Sequence, residues 1–255
     1  MKLATWNVNS VRARLSRVLD WLKRHDPDVV CLQETKVVDE QFPREPIEDA
    51  GYNVELFGQK TYNGVALLSK APIEDVVRGL PDDAEDAERR VIAGIVGDLC
   101  VVSVYAPNGM AIGHEKYHDK LMWFRRLRRF LEDRYPAGEK VAVCGDFNVT
   151  FDDRDVFDPK LLHEQLHTSS EEREALRHLM GYGLRDALRK FHEQGGIYTW
   201  WDYRMLGFEK NRGLRIDHLL LTEPALDACV GVQVDREERK GKTPSDHAPV
   251  LAELR

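Results

Sequence analysis

Val141-Ala142-Val143-Cys144-Gly145-Asp146-Phe147-Asn148 is the stretch on which the reading of this chain turns. Its first four residues, small or β-branched and apolar, suit a buried strand and are too few for a helix. Gly145 ends the run, and Asp146 and Asn148 follow. In extended backbone, residues two apart leave the same face. A carboxylate and a carboxamide therefore project together from the strand end, and Phe147 turns into the protein. Two oxygen-bearing side chains side by side make half a site for a hard cation or a phosphate. Taken alone, the stretch reads equally well as a strand followed by an Asp/Asn turn.

Other strand ends carry matching chemistry. Leu3 to Val8 reads as a strand with Asn7 at its end, and Asn9-Ser10 as the cap of a helix whose apolar face is Val11, Leu15, Val18, Leu19 and Leu22. Val29 to Thr35 is a second strand, ending near Glu34, where an unpaired carboxylate is costly and a salt bridge to Lys36 is the plain structural alternative. Tyr52 to Phe57 and Gly64 to Ser69 follow as strands, then an acidic loop over Pro81 to Glu88. Val91–Val96 and Leu99–Tyr105 flank Gly97-Asp98, a two-residue hairpin signal, and the second strand exits at Tyr105. Tyr117 to Leu131 has helical periodicity, with Arg125, Arg126, Arg128 and Arg129 on a face read as solvated. Thr150 to Pro159 reads as a loop, and Glu171 to Met180 as a helix. Trp200 and Trp201 cannot both face inward on a strand, so one is free to stack on a ligand. Ile216 to Leu221 is a strand opening with Asp217, and Asp246-His247 precede the closing strand. Ala4-Thr-Trp-Asn-Val8 weakly echoes Gly145-Asp-Phe-Asn-Val149, a hint of two similar halves.

The chain has 255 residues, 42% of them hydrophobic, enough for a full core in one large domain, 1–255. Its net charge of −7 excludes a nonspecific polycation without excluding nucleic acid, which answers to local patches. The four cysteines lack metal-ligand spacing. Cys31, Cys100 and Cys144 sit in apolar runs, as buried thiols of a reducing compartment do. There is no signal-peptide stretch and no run near the roughly 18 apolar residues of a membrane span, so a soluble cytoplasmic protein is expected.

Asn7, Glu34, Tyr105, Asp146, Asn148, Asp217, Asp246 and His247 lie at ends of apolar runs, all with oxygen or nitrogen donors. If those runs are adjacent strands, the donors converge on one rim. Oxygen-dominated ligands select Mg²⁺ or Mn²⁺ over zinc. His247 titrates near neutrality, and Asp217 is suited to hold its tautomer. The chemistry best served is metal-assisted hydrolysis of a phosphate ester. There is neither a Gly-rich nucleotide loop nor a Gly-x-Ser-x-Gly elbow.

Leu32-Gln-Glu-Thr-Lys36, Gly145-Asp-Phe-Asn148, Trp200-Trp-Asp-Tyr-Arg204, Asn211-Arg-Gly-Leu-Arg-Ile-Asp217 and Pro244-Ser-Asp-His-Ala-Pro249 resemble, in order and spacing, the exonuclease III family. The resemblance runs from Met1 to Arg255 and implies a four-layer α/β sandwich, two mixed β-sheets packed face to face with helices outside. It also implies a Mg²⁺-dependent monomer that cuts duplex DNA 5′ to abasic sites and acts on 3′ ends as exonuclease and phosphatase or phosphodiesterase. By the same resemblance Glu34 is the principal metal ligand, assisted by Asn7 and Asp246, with Asp146 and Asn148 beside it. Asp146 is the acid/base carboxylate. Asn148 and Tyr105 hold the phosphate, and His247, paired with Asp217, is base or phosphate donor. Trp200, Leu214 and Ile216 match an apolar pocket for a baseless sugar.

Asn9 stands where some members carry Asp, which puts a second metal in doubt. Leu214 stands where animal members have Trp, which points to a looser pocket and more exonuclease action. Arg12, Arg14, Lys36, Arg90, Arg212 and Arg215 are the candidate contacts to the phosphate backbone. The alternatives are a superfamily phosphodiesterase acting on RNA or on inositol or phospholipid head groups, and an inactive DNA-binding module.

Overall fold

The run from Val141 forms the strand Val141–Asp146, buried at every position. It does not end at Gly145 as expected. A Cβ there would lie 1.9 Å from the Val104 carbonyl oxygen, so glycine alone lets the neighbouring backbone come so close. The strand pairs in parallel with Leu99–Tyr105 and antiparallel with Asp217–Thr222. Tyr105 and Asp217 are both register partners of Asp146, so strand pairing alone sets three candidate residues in a row.

In this computed structural model, which describes residues 1–85, 87–136 and 138–255, that strand lies within a six-stranded mixed sheet. Val91–Val96 and Glu74–Arg78 extend it on one side, and Leu184–Asp186 closes the other. A second six-stranded sheet is built on Lys2–Asn7, which has Val29–Gln33 as a parallel neighbour and Val250–Leu254 as an antiparallel one. Val65–Ser69, Asn53–Phe57 and Cys229–Val234 complete it. Lys2–Asn7 and Val141–Asp146 thus have the same kinds of neighbour, although the echo sets Asn7, the last residue of its strand, against Asn148, two residues past the end of the other.

The sheets pack face to face over a shared core that includes Leu3, Cys31 and Leu67 from one and Val101, Cys144 and Leu219 from the other. Thr5, Gln33 and Ser103 cross this interface as a hydrogen-bonded chain of fully buried side chains. Each outer face is covered as well. Helix Leu15–His25 and the short helix Arg44–Asp49 cover one sheet through Val18, Trp21, Leu22 and Ile47. Helices Glu115–Arg134 and Ser170–Met180 cover the other through Phe124, Leu127, Leu176 and Leu179. The result is the four-layer sandwich expected. All four cysteines are buried free thiols. No helix among the described residues is long and apolar enough to cross a membrane.

The first helix starts later than expected. Asn9 and Ser10 take positive φ values of 44° and 87°, the helix begins at Leu15, and its N-cap is Arg14 with no side-chain cap bond. Asn9 instead enters the site, and the Ser10 hydroxyl accepts Ala13 N in the turn before the helix. The edge strand Glu74–Arg78 and the strand Cys229–Val234 lack clean alternation and were not expected. The acidic stretch from Pro81 pairs with one arginine of the helix, Arg126, through Asp82 and Asp83, while Arg128 and Arg129 pair with Glu132 and Asp133 on the helix itself. Asp86 of that stretch lies outside the described residues.

Candidate active site

Asn7 and Asp146, at matching strand ends in opposite sheets, meet directly. The Asn7 amide nitrogen donates to Asp146 Oδ2 at 2.9 Å and to Glu34 Oε1 at 2.8 Å. Its own oxygen accepts the Asn9 N–H, so Asn7 presents nitrogen to the carboxylates and ties them together. The expected metal-ligating oxygen of Asn7 is turned away by that bond. Glu34 follows its strand with φ 51°, a left-handed conformation that costs a non-glycine residue about 1 kcal/mol. Its carbonyl is held by Ser10 N at 2.7 Å, and Lys36 Nζ lies 2.7 Å from Oε2. The salt bridge anticipated as the plain alternative is therefore real, and it sits inside the site.

The Asp217 carboxylate takes His247 Nδ1 at 2.8 and 3.0 Å, which leaves Nε2 facing Asp146 Oδ2 at 3.7 Å. Thr199 Oγ1 accepts the N–H groups of Ile216 and Asp217 and fixes where that strand begins. Ser245 donates to the Asn7 carbonyl and accepts His247 N, pinning the histidine loop to the first strand. Burial pushes the Asp146 carboxyl up to about 7, with Asp217 and Glu34 adding to the rise and His247 opposing it. Burial works against the His247 cation, but Asp217 and Asp146 outweigh it and lift the imidazole to about 10. The two carboxylates thus favour the charged form of the ring. Burial and the charges of Glu34 and Asp146 hold the Tyr105 phenol protonated well above its usual range.

Ligand atoms of Glu34, Asp146 and His247 lie within 4.8 Å of one another. Asp246, expected among the metal ligands, falls outside this cluster. Its two oxygens take Asn9 Nδ2 at 2.9 Å and Trp200 Nε1 at 3.0 Å. Asn9 in turn accepts Lys36 Nζ at 2.6 Å, so Asp246 reaches Glu34 only through two intervening side chains. Burial opposes ionisation of Asp246, yet the His247 charge and the N–H groups of Trp200 and Asn9 hold its carboxyl below the usual range.

Asn148 is not in extended backbone. Its φ of 52° breaks the alternation that was to place it beside Asp146, and its backbone N–H folds back onto Asp146 Oδ1 instead. Its side-chain nitrogen donates to Ala106 O. Phe147 is fully buried, as expected.

The tryptophan pair divides as its spacing demands. Trp201 is buried among Tyr198 and Ala248, and half-buried Trp200 lines a cleft of about 700 Å³ with Leu162, Leu166, Leu214, His167 and Arg212. Ile216, expected in that lining, is 2% exposed and packs beneath Leu214. Trp200 joins the cleft to the polar cluster through its bond to Asp246, and His167 does so through Nδ1 on the Asn148 carbonyl.

Three arginines expected to meet DNA are committed elsewhere. Arg215 is 1% exposed and bonds to Asp155 and Asp186, because the strand that follows it draws it into the core. Arg90 pairs with Glu88, donates to the Tyr105 carbonyl and lies 4.8 Å over the Tyr105 ring, so it braces that tyrosine. Arg14 binds the Asn9 and Pro244 carbonyls and Tyr203. Arg12 and Arg212 are exposed. Thr199, Ser245 and His167 escaped the sequence reading, since nothing local marks which small polar residues a distant strand will use.

A family model described as Endonuclease/Exonuclease/phosphatase family matches residues 4–247. The chain belongs to that family. Exodeoxyribonuclease III of Haemophilus influenzae is 37% identical, with both chains covered over their whole length. Among solved structures, the 3′ phosphatase NExo from Neisseria, bound to a product DNA hairpin, superposes with a TM-score of 0.96 at 42% identity, over 100% of this chain and 99% of that one. An AP endonuclease from Archaeoglobus fulgidus gives the same TM-score at 38% identity, again over 100% and 99%. These structures share the sandwich seen here.

Proposed function

We propose that this chain is a metal-dependent DNA-repair nuclease that hydrolyses the phosphodiester 5′ to abasic sites in duplex DNA and also acts on 3′ ends as exonuclease and phosphatase or phosphodiesterase. It is a phosphodiester hydrolase of the exodeoxyribonuclease III kind, as its family and full-length relatives require. The observation that carries the reading is the meeting of Glu34, Asp146 and the Asp217–His247 pair at the junction of the two sheets, beside an apolar cleft.

Glu34 and Asp146 offer carboxylate oxygens suited to Mg²⁺, or Mn²⁺ in its place. In this reading His247 turns Nε2 to the phosphate while Asp217 holds Nδ1. Such a cation, when bound, neutralises charge on the phosphate and lowers the pKa of water. Asp146 takes a proton from the attacking water or returns one to the leaving oxygen. Nε2 of His247 donates to a phosphate oxygen, aided by the Asn148 amide and the Tyr105 hydroxyl. Trp200 and Leu214 receive the baseless sugar and exclude a normal base, which selects damage without reading sequence. Arg12 and Arg212 touch the phosphate backbone, and Lys36 orders Glu34 and Asn9 rather than DNA. The chain works as one domain, 1–255, and as a cytoplasmic monomer on double-stranded DNA.

A gel assay on a duplex with one abasic analogue, with and without Mg²⁺, tests this. A Mg²⁺-dependent cut 5′ to the lesion is expected. Preference for RNA or inositol phosphates over this duplex would overturn it.

A further inference from the structure

Beneath Asn148 lies a charge that the chemistry above does not use. Lys120, on helix Glu115–Arg134, is fully buried, and so is Glu172, its partner at 2.5 Å on helix Ser170–Met180. The ammonium makes two further bonds, to the carbonyls of Asn108 at 3.1 Å and Asn148 at 2.7 Å. An ammonium has three protons to give, and all three are placed. Glu172 is fixed from its other side by Ser169, whose hydroxyl donates to it at 2.7 Å and also meets Tyr117.

We infer that Lys120 is a positioning residue for the phosphate-binding amide of Asn148, with Glu172 present to keep its ammonium charged in the core. This rests on the reading of Asn148 given above. The backbone supplies the reason. Asn148 has φ 52°; its carbonyl meets His167 and the buried Lys120, and its amide lies between the Ala106 carbonyl and Asn108. The inward carbonyl has two donors, Lys120 Nζ and, at 2.6 Å, His167 Nδ1. With the backbone N–H on Asp146 and Nδ2 on Ala106, the residue is held at its nitrogen, its carbonyl and its amide. A left-handed non-glycine residue persists only where its surroundings over-determine it, and a charge-assisted bond to a buried carbonyl is a strong restraint. Asn108, exposed beside it, donates to Asn148 Oδ1 at 3.5 Å, so the ammonium also steadies the neighbouring loop. Without the charge, Asn148 relaxes toward negative φ and its amide leaves the site.

A pair that merely joined two helices would move stability and leave turnover alone. The test is a double-mutant cycle on the full chain with Mg²⁺, using whichever of an abasic duplex, a recessed 3′ end or a 3′-phosphate duplex turns over fastest. Lys120→Met with Glu172→Gln removes both charges and leaves no orphan carboxylate. That variant is expected to lose 10- to 100-fold in kcat with KM changed less than threefold. Asn148→Ala made in that background is expected to cost less than threefold more, since the two act as one unit. If the paired variant does not fold, Glu172→Gln alone is put through the same cycle. Turnover within threefold of the unmodified chain, or an Asn148→Ala loss equal in both backgrounds, would overturn the inference. An Asn148→Ala that is silent in the unmodified chain would instead remove the role given to Asn148, and the inference with it.

Discussion

Asp217→Asn should strip His247 of its anionic partner while leaving the ring in place. The two Asp217 oxygens stand 2.8 and 3.0 Å from Nδ1, and both side chains are almost wholly buried. Hydrogen bonds to a charged group contribute about 1.5–3 kcal/mol, and neutral ones roughly half. An amide of the same shape keeps one neutral acceptor, so the imidazolium loses about 1–2 kcal/mol. At about 1.4 kcal/mol per tenfold, the His247 midpoint moves down by about one pH unit. Asp217 is the chief group raising it, so the sign is downward. The rate should fall further than that, because an amide can also donate to Nδ1 and leave Nε2 without its proton. Removing one acid/base function costs about 10²–10⁴, and a loss of 10²–10³ in the single-turnover rate is expected. NMR titration of the ring in metal-free protein reads the midpoint, and quenched single turnover on the abasic duplex with Mg²⁺ reads the rate. A rate within fivefold of the unmodified chain and an unmoved midpoint would refute the reasoning.

EDTA should abolish cleavage and added Mg²⁺ restore it; full turnover in EDTA would rule out a metal held by Glu34 and Asp146. Asp146→Asn should lower the rate by at least about 10² while DNA affinity, followed by fluorescence anisotropy, holds; a near-normal rate would take Asp146 out of the chemistry. His218 gives a stability prediction away from the site. Burial, then the Arg215 charge, hold its imidazole down to about 4, against 6.5 in the unfolded chain. The unfolded state therefore binds this proton first. Stability is whole above pH 7 and falls as pH drops from 6.5 toward 4, by about 2 kcal/mol at pH 5. Urea unfolding at pH 7.5 and 5 should show a smaller loss in His218→Asn, and equal losses in both proteins would contradict the assignment.

Much of the site was legible because its residues sit where apolar runs stop. A carboxylate or carboxamide at the end of a buried strand must find a partner: Asn7 ties Glu34 to Asp146, and Asp217 takes His247. The tryptophan pair was legible for the same kind of reason: alternation forces one ring in and the other out. Asp246 and Asn148 were less so. Sequence adjacency put Asp246 beside His247, but the Asn9 and Trp200 N–H groups hold its oxygens away from the carboxylate cluster. Alternation put Asn148 beside Asp146, but a left-handed turn does not alternate.

Local pattern by itself determined most of the strands and helices, which face of each is apolar, and which polar side chains stand at the ends, because those follow from the chain's own two periodicities; Glu74–Arg78 and Cys229–Val234, without clean alternation, escaped it. Tertiary structure alone decided partnership. That Arg215 is drawn onto Asp155 and Asp186 rather than left for DNA depends on residues 60 and 29 positions away in sequence. The same holds for Arg90 bracing Tyr105 and for Lys120 lying under Asn148. A buried charge goes to whichever opposite charge or carbonyl packing brings near, and that choice is made only when the two sheets and their helices close on one another.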